Sequence, residues 1–259
     1  VLEGLYAGAR EDARIRQRKV SLDEIERLAK KQTPAIDAHA ALAPAESMKV
    51  IAEVKRASPS RGDLAEIAEP QELARQYETG GASAISVLTE QRKFKGSLTD
   101  LERVKQAVSI PVLRKDFISE PYQVLEARAS GADIVLLIVA GLEDRVLQQL
   151  FDLTHELGMS ALVEAHSADE VARAVDLGAQ LIGVNARNLK TFEMDRELFG
   201  RVADQIPAGV TKIAESAVLG LSDVERYRDA GANAVLIGEG LVTGDATQKL
   251  KQYTNVKTL

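Results

Sequence analysis

The sequence predicts an α/β fold, a (β/α)8 barrel of the TIM type with an N-terminal helical extension, and three observations carry that expectation. The first is a rhythm of short apolar runs at 50–54, 83–88, 110–114, 133–139, 160–164, 180–184, 210–214 and 233–237. Each is followed by a segment with apolar residues three or four apart. Runs this short and rich in Val and Ile read as buried strands, and strands alternating with helices imply a parallel sheet. The second is a repeat: Gly81-Ala82, Gly131-Ala132, Gly178-Ala179 and Gly231-Ala232 stand where helical patterns stop and apolar runs begin, roughly 50 residues apart. Glycine there supplies the left-handed residue that ends a helix. The third is length, since 259 residues suit one barrel of about 250 residues and leave no room for a second. An open doubly wound sheet is the alternative, but no GxGxxG follows the first strand to support its nucleotide-binding form. A single domain over 1–259 is expected, with the extension at 1–48 and the barrel at 49–255.

Within the extension, residues 1–32 read as two helices. Leu2, Leu5 and Ala9 share helical spacing, and Ser21 to Glu24 forms a capping box ahead of Ile25 and Leu28. The Ala- and Pro-rich stretch 33–48 carries no assignable period. Standing before the first strand, the extension is a candidate cover for the barrel mouth.

Composition narrows the function classes. Hydrophobic residues are 45% and charged residues 28%, the balance of a soluble globular protein, and with 4% aromatics and no Trp the core is aliphatic. The lack of Cys excludes disulfides, thiolate metal sites and thiol nucleophiles, and suits a reducing, cytoplasmic setting. No apolar run reaches the roughly 18 residues of a membrane span and no signal-peptide pattern opens the chain. The net charge is −6 with scattered basic residues, so no nucleic-acid surface is expected. His39, His155 and His166 match no zinc spacing and read as surface or internally satisfied side chains, so no metal site is expected.

In this architecture chemistry belongs at the carboxyl ends of the strands. The first strand ends in Glu53 and Lys55, two apart and so on one face. An opposite pair buried there is costly unless it is paired or used. The other strands end in Thr89-Glu90, Arg114-Lys115-Asp116-Phe117, Glu164, Asn185 to Asn188, Glu215-Ser216 and Gly238-Glu239-Gly240. Lys55 and Lys115 are candidate proton donors if burial or neighbouring cations lower their pKa. Glu53 and Glu164 are candidate bases or charge partners. Arg187 offers a planar fork for carboxylate or phosphate. The last two loops, at Ser216-Ala217 and Gly238-Glu239-Gly240, lie where such barrels bind phosphate on backbone N–H groups.

Six motifs in order, Ile51–Ser60, Pro111–Phe117, Leu162–Glu164, Ile182–Asn188, Ala214–Ser216 and Ala232–Glu239, resemble the indole-3-glycerol phosphate synthase family across nearly the whole chain. The resemblance implies ring closure, decarboxylation and dehydration of 1-(2-carboxyphenylamino)-1-deoxyribulose 5-phosphate, with no metal and no redox cofactor. It implies Lys115 as general acid, Lys55 as acid or phosphate anchor, Glu164 as base or charge stabiliser, and Glu53 as the group orienting the lysines. Asn185 and Ser216 join this catalytic set. Ser58, Phe117, Arg187 and Glu215 would contact the rest of the substrate, and Ala217, Gly238 and Glu239 the phosphate, Glu239 through its backbone. Ala217 stands where the family commonly has Gly, and a methyl there calls for a changed backbone angle. A monomer acting on a small phosphorylated molecule is expected. The competing readings are a barrel that binds such a ligand without catalysis and another phosphosugar isomerase; phosphoribosylanthranilate isomerase relies on a Cys that this chain lacks.

Overall fold

The computed structural model describes residues 1–259. Three helices precede the sheet: α1 (Leu2–Lys19), α2 (Leu22–Lys31) and a short α3 (Ala38–Leu42). Helix α3 falls in the stretch without an assignable period. It is a single turn and a half, capped by Asp37, whose side chain accepts from the Ala40 N–H, and it buries Ala38 and Leu42. A helix that short shows no periodicity in sequence. At α2 half of the expected capping box forms, with Ser21 Oγ accepting from the Glu24 N–H at 3.2 Å.

Eight parallel strands follow: β1 (Lys49–Val54), β2 (Ala84–Leu88), β3 (Val112–Lys115), β4 (Ile134–Ile138), β5 (Ser160–Ala165), β6 (Leu181–Asn185), β7 (Thr211–Glu215) and β8 (Ala234–Ile237). Each pairs with its neighbours in sequence, and β1 pairs with β8, so the sheet closes. The helices after the successive strands are α4 (Pro70–Gly80), α5 (Leu98–Ala107), α6 (Pro121–Ala129), α7 (Asp144–Glu156), α8 (Ala168–Leu177), α9 (Leu198–Val202), α10 (Leu221–Asp229) and α11 (Ala246–Thr254). The repeat read from the sequence is the helix-to-strand junction: Gly81 (φ 105°) and Gly178 (φ 87°) cap α4 and α8 in left-handed backbone. The third strand starts two residues later than its apolar run because Pro111 has no N–H for a ladder.

Strand parity separates the core from the site. Along β3, Lys115 faces the mouth while Arg114, wholly buried, lies in a network on the helix side of the sheet. Arg114 donates to Thr89 Oγ1 at 3.0 Å, to Gln123 O at 2.7 Å and to Asp116 Oδ2 at 3.2 Å. Glu126 sits 3.6 Å from the same guanidinium and accepts from Arg16 of α1 at 3.0 Å, which ties the extension to the barrel. At the foot of β4, fully buried Asp133 accepts from the Ile36 and Val112 N–H groups, both at 2.8 Å, and pairs with Lys105 at 2.7 Å. Such charges are tolerated in a core because each carboxylate oxygen has a donor. No helix is long and apolar enough to cross a membrane.

Candidate active site

The carboxyl ends of the strands enclose a cavity of about 440 Å³. Its wall includes Glu53 and Lys55 from β1 and the residue after it, Lys115 from β3, Arg187 beyond β6, Glu215, Ser216 and Ala217 around the end of β7, and Gly238 and Glu239 beyond β8. Glu164 and Asn185 stand just behind this wall, and Ser58 and Phe117 lie beside it.

Glu53 is the hub. It is 2% exposed, and its carboxylate takes Lys115 Nζ at 2.9 Å, the Ser86 hydroxyl at 2.8 Å and Lys55 Nζ at 3.5 Å. Burial alone would raise its pKa, but Lys115 and Lys55 together outweigh that and hold it below the usual carboxylate value. The expectation for Lys115 is corrected by the same geometry. Burial pushes its pKa down, yet Glu53, Glu215 and Glu164 surround it and leave it above the ordinary lysine value. Its proton is therefore held tightly until a strong base arrives.

A second group sits across the mouth. Asn185 Nδ2 donates to Glu164 Oε1 at 3.1 Å, while Asn185 Oδ1 accepts from the Ser216 hydroxyl at 2.7 Å and the Arg187 N–H at 3.0 Å. Glu164 Oε2 and both Glu215 oxygens are buried without partners. Burial and then the adjacent Glu164 charge drive the Glu215 carboxyl well above its ordinary value, so Glu215 is the protonated member of the pair. Glu164 runs the other way: burial opposes ionisation, but His166, then Glu215 and Lys115, keep it charged. His166 Nε2 lies 3.1 Å from Glu164 Oε1. The contact is close, but the ring nitrogen is not aligned for a regular hydrogen bond.

Gly183 makes room for this arrangement. A Cβ at Gly183 would overlap Glu215 Oε1 and approach Leu162 Cδ1 at 3.4 Å. Gly183→Ala is expected to displace the Glu215 carboxyl, lower kcat at least about tenfold and cost about 1–3 kcal/mol of stability. Steady-state kinetics beside thermal unfolding checks both parts, and an unchanged kcat would free Glu215 of a fixed position.

The loops after β7 and β8 form the candidate phosphate end. Ser216 (φ 67°) and Ala217 (φ 57°) are consecutive left-handed residues. Ala217 thus adopts the glycine-like angle itself, at roughly 1–2 kcal/mol. Ser216 is held by its bond to Asn185, and its carbonyl accepts from the Tyr227 hydroxyl at 3.1 Å. A Cβ at Gly238 would press on Glu53 Oε1 at 3.3 Å and Lys55 Cε at 3.4 Å, so glycine lets this loop approach β1. The Glu239 carboxylate pairs with Arg61 at 3.4 Å.

Other positions lie outside the lining of this cavity. Ser58 lines a neighbouring cavity of about 640 Å³ with Pro59, Glu90 and Phe192, against Val1, Gly4, Leu5 and Gly8 of the N-terminal segment. Helix α1 therefore flanks the mouth. Phe117 packs edge-on against Tyr6 of α1, with ring centroids 5.7 Å apart, and against Phe94 at 5.9 Å. Thr89, Glu90, Arg114 and Asp116 stand at strand ends but serve the scaffold; Glu90 accepts from the N–H groups of Arg92, Lys93 and Phe94. Sequence reasoning missed Tyr6, Phe94 and His166. Only His166 carried a signal, its position two residues after Glu164, which puts both on one face.

A family model described as indole-3-glycerol phosphate synthase matches residues 2–253. Proteins of that name from Leifsonia xyli subsp. xyli, Mycolicibacterium vanbaalenii and an Arthrobacter species are 62%, 58% and 54% identical to the chain. The alignments cover 99%, 94% and 98% of this chain and 98%, 89% and 95% of the relatives. Among solved structures, the N-acetylmannosamine-6-phosphate 2-epimerase of Clostridium perfringens shares the fold, with a TM-score of 0.58 at 15% identity over 75% of this chain and 88% of that one. A full-length family match, close relatives and a barrel mouth furnished with the same motifs place one conclusion beyond the fold: the chain belongs to the indole-3-glycerol phosphate synthase family.

Proposed function

We propose that the chain converts 1-(2-carboxyphenylamino)-1-deoxyribulose 5-phosphate into indole-3-glycerol phosphate, carbon dioxide and water by general acid and base catalysis. The observation that carries the proposal is the charged Lys115, 2.9 Å from Glu53 and flanked by the Glu164–Glu215 pair. Ring closure joins an aromatic carbon to a ketone and leaves an alkoxide. An alkoxide is basic enough to take a proton even from a tightly held ammonium, so the raised pKa of Lys115 fits a donor that acts only at that step. Loss of carbon dioxide returns its electron pair to the ring. Dehydration then needs an acid for the departing hydroxyl and a base for a proton. Glu164, ionised, is suited to the base role.

Lys55 and the Ser216–Ala217 and Gly238–Glu239 loops would hold the phosphate, and Arg187 would hold a carboxylate or phosphate oxygen as a fork. Arg187 Nη1 donates to Ser60 Oγ at 3.2 Å, bridging the loops after β1 and β6 over the cavity. Ser58 and Phe117 are assigned to the anthranilate end, beside Tyr6 and Phe94. The same proposal has a single-domain monomer working in the cytoplasm on a small phosphorylated substrate, a setting that the lack of Cys supports.

The chain has no Trp, so indole fluorescence appearing on addition of the carboxyphenylamino substrate reports product directly. Turnover by the purified protein is the expected outcome. Saturable binding without fluorescence would assign the barrel to ligand binding instead, and no binding would remove the substrate class.

A further inference from the structure

We propose that His166 is a positioning residue: clamped between Glu170 and Glu164 as an imidazolium, it fixes Glu164 as the ionised member of the Glu164–Glu215 pair and leaves the proton on Glu215. The inference rests on the reaction proposed above and adds a residue to it.

The geometry carries the argument. His166 follows β5, and its side chain is 10% exposed. Nε2 lies 3.1 Å from Glu164 Oε1 and Nδ1 lies 3.2 Å from Glu170 Oε1. A neutral imidazole has one donor and one acceptor nitrogen, so one of these contacts would set a lone pair against a carboxylate. The doubly protonated ring bonds Glu170 through Nδ1 and sets its charge 3.1 Å from Glu164 at Nε2, off the line of a regular hydrogen bond. Glu170 is itself held in place: it accepts from the His166 N–H at 3.1 Å, and Ser167 caps its helix, α8, by accepting from the Glu170 N–H at 3.2 Å. The clamp is thus built from β5 and the first turn of α8.

The groups facing this cluster are few. Glu164 meets His166, Asn185 of β6, Glu215 of β7 and the charge of Lys115 from β3, while Tyr6 of α1 feels the Glu164 charge from above. Glu215 meets Glu164, Lys115 and Glu53. Two adjacent buried carboxylates do not both ionise. The cation decides which one does, and it touches Glu164. Burial opposes the charge on His166, but its contacts with Glu164 and Glu170 prevail and push the ring up to about 9. The clamp is therefore closed throughout the neutral range.

This assignment splits the two carboxyls by role. Glu164 is a base at neutral pH, and Glu215, whose oxygens are buried without partners at the cavity wall, is a proton donor. Removing the cation lets burial raise the Glu164 carboxyl against Glu215 and Lys115 alone, so activity is lost at a higher pH on acidification.

The test is kcat/KM against pH for the wild type, His166→Asn and Glu170→Gln. The wild type is expected to lose little between pH 8 and pH 6. His166→Asn is expected to lose about tenfold over the same interval, as its acid limb moves up into that interval. Glu170→Gln should move the limb the same way by less. A His166→Asn profile lowered equally at every pH would make the residue merely structural and overturn the proposal, as would an unchanged one. Labelled-imidazole NMR on the wild type needs neither variant folding nor turnover. His166 should titrate near 9 and well above His39, and titration at or below the ordinary value of about 6.5 would overturn the clamp. If the wild type shows the clamp by NMR but no turnover, the reaction assignment fails and the His166 geometry does not.

Discussion

Lys115→Ala is expected to lower kcat by about 10²–10⁴-fold, the range of a lost general acid. The reason lies in how the ammonium is held. Its Nζ is 2.9 Å from Glu53 and senses Glu215 and Glu164, so it is the cation most enclosed by carboxyls at the mouth. Lys55, 3.5 Å from Glu53, is the nearest substitute, but it belongs to the side of the mouth with Gly238. Removing one partner of a buried pair usually costs about 3–5 kcal/mol, and here Lys55 and Ser86 remain to hold Glu53, so the loss should fall below that range. Stopped assays by indole fluorescence, beside thermal unfolding, separate the two effects. A kcat equal to that of the wild type would move the acid to Lys55.

Glu164→Gln keeps the shape and removes the charge, and its kcat should also fall by about 10²–10⁴-fold. The amide retains Asn185 as a neighbour but can no longer accept a proton. A linked effect on stability has a definite sign. The Glu164 carboxyl is buried, yet His166 and Lys115 hold it below its ordinary value. Its contribution is therefore present above the unfolded value of about 4.3 and lost as pH falls below that. The wild type should be more stable than the variant at pH 7, with the gap closing toward strongly acidic pH. Chemical denaturation at several pH values measures that gap. A variant that keeps its kcat would hand the base role to Glu53.

The parts of this molecule that follow local rules were readable from its residues. The Gly-Ala junctions marked the helix ends because a left-handed backbone needs glycine. Glu53 and Lys55 were readable as a buried pair because strand parity puts residues two apart on one face. What escaped was contact between strands far apart in sequence. Nothing in β1 announces that Lys115, 62 residues on, is a closer partner of Glu53 than Lys55. The sign of the Lys115 shift was missed for the same reason, since three carboxyls from three other strands set it. Parity also divides Arg114 from Lys115, but their adjacent charges look alike until the sheet is closed. Tyr6 reaches Phe117 from the extension across more than a hundred residues, and no spacing rule predicts that.

The pairing of β1 with β8 has a consequence for the chain as it is synthesised. Glu53 and Lys55 are made early and Gly238 late, yet Gly238 lies against both. Until β8 has emerged from the ribosome, β1 has no partner on one edge and the loop after β8 does not exist. A nascent chain therefore carries all of its acid–base groups beside an open sheet edge, which is a template for pairing with other chains. Catalytic competence and protection from aggregation arrive together, in the same closing step.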